Sequence, residues 1–288
     1  MVFDPSSPEL RRRRFRPIPV RMLVPNVITL LAICAGLTAI RLSTEGRMEL
    51  AVAAIVFAAA LDGIDGRVAR MIKGQSKFGA ELDSLADFVN FGVAPGLILY
   101  FWQLHDLNNG GWIAAMVFAI SGGLRLARFN ATMDDPNKPP FAAHFFTGIP
   151  APAGAITVLL PIYLAFLGVP KPPALLTALY TLVIAFLMVS RLPVFSGKTI
   201  RMRVPPEMVL PVFVCVIFFI ALLVSYPWYI LSVGSVLYLF SLPAGWKSYR
   251  DQARKAAAPS HASPPSPGPS FAPTLSEPRQ DDRPTRLN

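Results

Sequence analysis

The sequence predicts an all-α fold, a polytopic membrane bundle of about eight transmembrane helices. Hydrophobic residues make up 53% of the 288 residues, whereas charged residues make up only 15%. The apolar residues gather in runs of about 20, the length that crosses the hydrocarbon core of a bilayer as a helix. The runs lack the alternation of barrel strands, and a helix satisfies its own backbone hydrogen bonds in lipid. The predicted spans cover residues 23–42, 48–71, 82–103, 112–131, 149–168, 173–190, 207–225 and 227–246.

The segments outside the spans differ in composition from the membrane domain, which we place at residues 22–250. Residues 1–21 form a basic arm, in which arginines mixed with apolar residues suit a cytoplasmic or interfacial segment. A basic arm can also open a secretory signal, but no small-residue cleavage site is clear after Thr38, so we expect an uncleaved first span. Residues 251–288 are expected to form a disordered, Pro-rich cytoplasmic tail, because residues 259–288 contain eight prolines.

The basic residues indicate the orientation in the membrane. All but three of the 27 Lys and Arg lie in the N-terminal arm, in the tail, or at alternate junctions between spans. The exceptions are Arg41, Arg47 and Lys171. Because Lys and Arg are enriched on the cytoplasmic side, both termini are predicted to be cytoplasmic. The net charge of +10 therefore reflects topology and attraction to anionic lipid headgroups, and no nucleic-acid partner is expected.

Four aspartates interrupt the apolar sequence. Asp62 and Asp65 lie three residues apart at the cytoplasmic end of the second span, and Asp83 and Asp87 lie four apart at the start of the third. Each spacing places a pair on one helical face, and the short connection makes the two helices antiparallel neighbours. The carboxylates should therefore converge, where they repel one another unless cations neutralise them. Oxygen ligands alone favour hard divalent ions such as Mg²⁺ or Mn²⁺.

The residues between the two pairs suit a ligand that carries phosphate. Gly66, Ala69 and Gly79 would let another helix or a flat ligand approach the backbone closely. Arg70 supplies a fixed cation for phosphate oxygens. The region therefore combines acidic, small and basic residues within 26 positions, 62–87.

Two other interpretations of the aspartates stay open at this point. They could form structural ion pairs, Asp65 with Arg70 and Asp87 with Arg125 or Arg128. Acidic residues inside a membrane also mark ion paths in transporters and channels. A transport path should, however, place acids near mid-span and on several helices.

The same residues resemble a family signature, that of the CDP-alcohol phosphatidyltransferases, at all eight defining positions. In this sequence the pattern reads Asp62-x2-Asp65-Gly66-x2-Ala69-Arg70-x8-Gly79-x3-Asp83-x3-Asp87. The resemblance implies a six-helix core and transfer of a phosphatidyl group from a CDP-linked lipid to an alcohol, with release of CMP. It further implies two divalent cations, Mn²⁺ or Mg²⁺, held by the four aspartates, with Asp87 also the general base. The CDP moiety is then expected at Asp65, Gly66, Ala69, Arg70 and Gly79.

Four more stretches are similar to the phosphatidylserine synthase branch of that family. They read GQSKFGAELDSLADFVNFGVAP at 74–95, GGLRLARFN at 122–130, FTGIPAPAGA at 146–155 and SRLPVFSGK at 190–198. The branch implies CDP-diacylglycerol as donor, L-serine as acceptor, a homodimer, and an active site on the cytoplasmic face of the cell (inner) membrane. Sibling acceptors such as glycerol 3-phosphate, inositol phosphate or choline stay open.

An acceptor such as serine carries a carboxylate and an ammonium, so its site needs polar groups. Arg125 and Arg128, three apart at the cytoplasmic end of the fourth span, are candidates to bind the carboxylate. Their alternative role is positive-inside anchoring. Asn90 and Asn130 are further candidates, and Asn90 shares the helical face of Asp83.

Two pairs of residues at other span ends are weaker candidates. Ser196 and Lys198 follow the sixth span and are expected to contact lipid phosphate, although Lys198 could equally snorkel to the interface. Asn26 and Thr29 begin the first span beside the expected CDP site, where helix capping is the simpler interpretation.

Overall fold

The chain folds into a bundle of helices with one small two-stranded sheet. The computed structural model describes residues 23–72, 76–132, 145–190, 192–195 and 206–257. The α-helices in these ranges are α1 (Leu23–Thr44), α2 (Met48–Ile72), α3 (Lys77–Asp87), α4 (Ala94–Trp102), α5 (Asn109–Ala131), α6 (Ala151–Val158), α7 (Leu160–Phe166), α8 (Ala174–Val189), α9 (Pro206–Ser225) and α10 (Pro227–Ala257). The strands β1 (Phe145–Thr147) and β2 (Pro193–Phe195) pair antiparallel, with Phe146 opposite Val194. The predicted all-α membrane fold is confirmed.

Each predicted span coincides with a helix or with a pair of consecutive helices. Among the described residues, five stretches are long and apolar enough to cross a membrane. They are Leu23–Thr44, Lys77–Trp102, Asn109–Ala131, Met208–Ser225 and Pro227–Lys247. The remaining three are α2, which carries acidic residues, and the shorter apolar helices Ala151–Phe166 and Ala174–Val189. Sixteen residues of helix extend about 24 Å, less than the roughly 30 Å of hydrocarbon, so the two shorter helices stay predicted spans. Helix α2, with 25 residues, is long enough but carries acidic residues, and it also stays a predicted span.

The third span changes its helical type directly after the last aspartate. Residues Phe88–Val93 form a π-helical turn between α3 and α4. Pro95 lies in the first turn of α4 and has no N–H to donate to the carbonyl four residues earlier, at Phe91. The N–H of Ala94 bonds instead to the carbonyl of Val89, five residues back. The π-turn thus follows from a proline placed one turn beyond Phe91, and such turns are frequent at functional sites.

A second proline divides the fifth span into α6 and α7. Pro161 lies in the first turn of α7 and cannot donate to the carbonyl of Thr157. The hydroxyl of Tyr180 on α8 donates to that carbonyl at 2.6 Å. The backbone acceptor freed by the proline is therefore satisfied from a neighbouring helix, as a buried carbonyl requires.

Close backbone contacts between glycines bring the central helices together. Helix α1 packs along α2, and α5 packs along α8 and the π-turn. A Cβ on Gly122 of α5 would lie 3.0 Å from the Cα of Gly92 in the π-turn, so a larger side chain would separate the two segments. Large side chains such as Phe91, Phe118 and Tyr163 fill the fully buried core around this contact.

Helix α9 has no buried face among the residues described. Large hydrophobic side chains along it, from Met208 to Val224, are exposed. In water this surface would be unfavourable, whereas hydrocarbon chains solvate it without cost. The helix therefore fits a lipid environment.

The chain divides into two units, one ending at Tyr249 and one beginning at Arg250. Helix α10 continues to Ala257, so the first seven residues of the predicted tail, 251–257, are helical. The disorder predicted for residues 258–288 and the N-terminal arm at 1–21 lie outside the described residues and stay predictions.

Replacing Gly111 by alanine should destabilise the bundle strongly. An added Cβ would lie 1.8 Å from the backbone carbonyl oxygen of Leu104, which cannot move without displacing the α4–α5 connection. Overpacking of this kind costs about 1–3 kcal/mol in free energy of unfolding. Gly110→Ala is the matched control, because the nearest atom to its added Cβ is 4.0 Å away. Thermal unfolding of both variants in detergent checks the prediction, and equal midpoints would contradict it.

Candidate functional site

Three of the four aspartates meet at one end of the bundle. Asp62 and Asp65 lie on the last part of α2, and Asp83 lies on the following helix, α3. One carboxylate oxygen from each can be chosen so that all three lie within 4.8 Å of one another. The expected convergence of the two acidic pairs is therefore present in the structure for these three residues.

Asp87 lies one turn beyond Asp83 on the same face of α3 and belongs to the edge of this cluster. Its carboxyl group is within hydrogen-bonding range of Asp62 and interacts electrostatically with Asp83. It is not one of the three residues whose oxygens meet within 4.8 Å. Asp87 therefore adjoins the three-carboxylate centre from the side of the π-turn.

A hydroxyl from the first helix fixes one of the carboxylates. Thr29 on α1 donates to Asp65 Oδ2 at 2.8 Å, and both side chains are buried. Thr29 was a weaker candidate beside the expected CDP site, with helix capping as the simpler interpretation, and its contact with Asp65 was not predicted. The partner lies 36 residues away in the chain, and local spacing carries no signal for such a contact. Thr29 thereby orients a cluster oxygen from outside the cluster.

The charges of this cluster are not neutralised by basic side chains. The described ion pairs within 4 Å are Arg41–Glu45, Arg47–Glu45 and His105–Asp106, none of which includes a cluster aspartate. Asp65 Oδ1 and Asp87 Oδ1 are buried without a hydrogen-bond partner among the described residues. The described residues therefore do not form the structural ion pairs that were the alternative interpretation of the aspartates.

A divalent cation fits this donor set. Clustered carboxylate oxygens are the ligands that hard cations such as Mg²⁺ and Mn²⁺ prefer. A cation would neutralise the mutual repulsion and satisfy the buried Oδ1 of Asp65. Metal ligands are commonly held in place by hydrogen bonds from residues that do not touch the metal, and Thr29 makes such a bond to Asp65. The cluster is therefore compatible with divalent metal binding.

A cavity of about 340 Å³ opens beside the cluster. Four helices, α1, α2, α3 and α5, form its walls. Its lining consists of Pro25, Asn26, Thr29, Asp65, Gly66, Ala69, Ser76, Gly79, Ala80, Glu81, Asp83, Ser84, Asp87, Leu126, Phe129 and Asn130. Carboxylates thus occupy one part of the wall and small residues another.

The small residues predicted for nucleotide binding all line this cavity. Gly66, Ala69 and Gly79 belong to its wall. A Cβ added at Gly66 would meet nothing within 4 Å, so the backbone there is open to a ligand. A Cβ at Gly79 would lie 2.8 Å from Asn26 Oδ1, so this glycine lets α3 approach α1. The hydroxyl of Ser76 caps α3 by accepting from the N–H of Gly79 at 2.9 Å.

The predicted arginines lie in different surroundings from one another. Arg70 is exposed, and its Nε donates to the carbonyl of Gly66 at 2.9 Å, outside the cavity wall. Arg128 donates through Nη1 to the carbonyl of Val189 at the end of α8. Arg125 is buried and interacts electrostatically with Asp87. Of the three, only Arg125 shows an interaction with a cluster aspartate.

The other predicted polar residues divide between the cavity and the core. Asn130 lines the cavity and donates to the hydroxyl of Ser84 at 2.9 Å, which joins α5 to α3. Asn90 is 1% exposed in the π-turn, where it faces Gly36 of α1, and it does not line the cavity. Ser196 and Lys198 lie outside the described residues.

Comparison with known proteins matches nearly the whole membrane domain. The model of the CDP-alcohol phosphatidyltransferase family matches residues 22–192, and a second model, CDP-alcohol phosphatidyltransferase 2, matches residues 207–243. The first match contains the aspartate cluster and every residue that lines the cavity.

Several relatives share one name and activity. A CDP-diacylglycerol–serine O-phosphatidyltransferase of Mycobacterium leprae is 39% identical over 235 residues, 81% of this chain and 77% of that protein. Proteins of the same name from Mycobacterium tuberculosis (strain H37Rv) and Helicobacter pylori (strain J99) are 50% identical over 137 residues and 41% identical over 148 residues. These alignments cover 48% of this chain and 48% of the M. tuberculosis protein, and 51% of this chain and 60% of the H. pylori protein.

Neutralising Asp65 should weaken binding of a divalent cation. Asp65→Asn removes a charged oxygen from the three-carboxylate centre, so the affinity for Mn²⁺ should fall at least about tenfold, or 1.4 kcal/mol. Glu81→Gln is the matched control, because Glu81 lines the same cavity but is exposed and outside the cluster. The Mn²⁺ affinity of each variant is measured by titrating the purified protein with Mn²⁺ and monitoring the titration by electron paramagnetic resonance. An unchanged affinity in Asp65→Asn would exclude this residue as a ligand.

Proposed function

This chain belongs to the CDP-alcohol phosphatidyltransferase family, as its motif predicted, and from that membership we propose that it transfers the phosphatidyl group of CDP-diacylglycerol to L-serine. The products are phosphatidylserine and CMP. Membership rests on the family match over residues 22–192. The choice of serine is supported by the activity for which the relatives are named and by the four stretches that resemble the phosphatidylserine synthase branch.

One observation carries the chemical part of the proposal. Three carboxylates that have no described basic side chain within 4 Å converge beside a cavity that small residues line. An anionic centre that is not paired with a described basic side chain is suited to a cation-bound pyrophosphate. A flat base and ribose fit against the backbone at Gly66, where no side chain intervenes.

The transfer is a displacement at phosphorus. The serine hydroxyl oxygen attacks the phosphorus of the phosphatidyl group, and the bond from that phosphorus to the oxygen of the CMP leaving group breaks. CMP departs with the bonding electron pair, and the hydroxyl proton passes to Asp87. General-base catalysis of this kind accelerates a reaction by about 10²–10⁴-fold. The buried Asp87 Oδ1, which has no partner among the described residues, is free to accept that proton.

The aspartates also have a binding role. Asp62, Asp65, Asp83 and Asp87 would hold two divalent cations, Mn²⁺ or Mg²⁺, which when bound supply charge neutralisation of the pyrophosphate and polarisation of the attacked phosphorus. Thr29 keeps Asp65 in one orientation through its hydrogen bond. Ala69 and Gly79 leave room for the nucleotide, and exposed Arg70 lies one turn beyond Gly66, within reach of the entrance.

The position of the site along the helices argues against ion transport. Asp62 and Asp65 lie in the last part of α2, whereas Asp83 and Asp87 lie in the first half of the Lys77–Trp102 stretch. The acids therefore gather at one end of two antiparallel helices. A transport path requires polar groups that continue across the bilayer.

The protein is an integral membrane protein, and its finer placement belongs to the proposal. The distribution of Lys and Arg supports the proposal that both termini and the aspartate cluster lie on the cytoplasmic side of the cell membrane. CDP and serine are water-soluble groups that a cytoplasmic site can receive directly. A homodimer is proposed from family resemblance.

The polar residues near the cluster are proposed to bind the serine. Arg125, which faces Asp87, is suited to the carboxylate, and Asn130 lines the cavity within reach of the acceptor. Arg128 and Asn90 stay predicted contacts. Ser196 and Lys198 stay predicted contacts to lipid phosphate.

Purified wild-type protein should release CMP from CDP-diacylglycerol only when L-serine is present. The assay supplies Mn²⁺ and compares L-serine with glycerol 3-phosphate, inositol phosphate and choline, each at the same concentration. Thin-layer chromatography of the labelled lipid identifies phosphatidylserine as the product. CMP release that depends on another of these alcohols and not on serine would refute the assignment.

Asp87→Asn should abolish turnover while the protein still folds. The substitution keeps size and removes the proton acceptor, so kcat at saturating substrates should fall at least about 100-fold. Glu81→Gln again serves as the control and should retain wild-type kcat. Undiminished activity of Asp87→Asn, in protein whose gel-filtration profile matches the wild type, would exclude Asp87 as the base.

A further inference from the structure

Helix α10 carries a row of hydroxyl groups on its buried side. Ser232, Ser235 and Tyr238 follow one another at three-residue intervals, so they lie along one face. Each hydroxyl oxygen is buried, and none has a hydrogen-bond partner among the described residues. Burying an unpaired hydroxyl is unfavourable, so a row of three requires an explanation.

Contacts at the start of α10 fix where this row lies. The Trp228 ring lies 4.5 Å from the Phe166 ring at the end of α7. Tyr238 is ten residues further along, about 15 Å up the helix axis. There its hydroxyl interacts electrostatically with Arg125, which lies in the last third of α5. The row therefore runs from the end of α7 toward the level of the aspartate cluster.

Arg125 connects the tyrosine to the cluster. Its side chain is 9% exposed, and its guanidinium lies 5.8 Å from the centre of the Phe129 ring. It interacts electrostatically with both Asp87 and Tyr238. No described carboxylate lies within 4 Å of it, and its Nε is buried without a described partner.

Three unpartnered polar atoms thus stand in sequence: Asp87 Oδ1, Arg125 Nε and the Tyr238 hydroxyl. The first is an acceptor, and the other two can both donate. A buried guanidinium with unused donors is stabilised by an anion that it can bind through two hydrogen bonds. An amino-acid acceptor brings both complements in one small molecule, a hydroxyl for Asp87 and a carboxylate for the two donors.

We propose that Tyr238 is a specificity residue, and that its hydroxyl and the Arg125 guanidinium together bind the carboxylate of the acceptor. The inference rests on the proposed function and adds a role for α10. This helix lies beyond residues 22–192 of the first family match, and Tyr238 falls within residues 207–243, which the second family model matches. The carboxylate held there leaves the acceptor hydroxyl directed toward Asp87.

Tyr238→Phe tests the proposal, because it removes one oxygen and keeps the ring. Loss of a hydrogen bond to a charged group should raise the KM for L-serine about tenfold or more. The KM for CDP-diacylglycerol and the thermal midpoint should stay at wild-type values, since no described protein group bonds to the hydroxyl. Tyr229→Phe is the matched control, as Tyr229 is 58% exposed on the same helix.

The outcomes separate this inference from the proposed function. Wild-type protein that releases no CMP with serine refutes the proposed function and the carboxylate subsite with it. Wild-type activity that Tyr238→Phe leaves unchanged refutes only the role of Tyr238. A variant in which the KM values for serine and CDP-diacylglycerol rise together, with a lower thermal midpoint, assigns Tyr238 to the structure of the bundle and also overturns the proposal.

Discussion

Repulsion among the carboxylates of Asp62, Asp65 and Asp83 is the constraint on which the rest of this bundle depends. Two unit charges 4.8 Å apart repel by roughly 3 kcal/mol at an effective dielectric constant of about 20. Helices α2 and α3 nevertheless bring all three together, with no described basic side chain within 4 Å. The fold tolerates this because the cluster lies at helix ends, beside a cavity that can admit cations and a charged ligand.

Features next to the cluster keep the helix ends in register despite the repulsion. Thr29 donates from α1 to Asp65, and Gly79 lets α3 approach α1 to within contact of Asn26. The π-turn begins directly after Asp87 and allows the glycine contact between Gly92 and α5. Each of these features brings two helices close together. The acidic site and the helical core therefore depend on the same kind of close helix contact.

The last two helices differ in what they contribute. Helix α9 exposes its large hydrophobic side chains along its length and fits contact with lipid. Helix α10 turns hydroxyl groups inward, and Tyr238 lies opposite Arg125. The proposed acceptor contact on α10 lies outside the residues that line the cavity, so a change at Tyr238 leaves the aspartates unaltered.

The sequence by itself determined the membrane class, the helix positions and the acidic residues that meet, because apolar run length and three- or four-residue spacing are local properties of a helix. The family also followed from sequence, since its signature lies within 26 consecutive positions. Only the tertiary structure decided which distant groups meet: Thr29 with Asp65, Tyr180 with the carbonyl freed by Pro161, and Tyr238 with Arg125. It also decided that Arg70 donates a hydrogen bond to a carbonyl of its own helix and that Arg128 donates one to the end of α8. These contacts depend on the rotation and crossing of whole helices, which packing across the bundle sets and residue spacing within one helix does not.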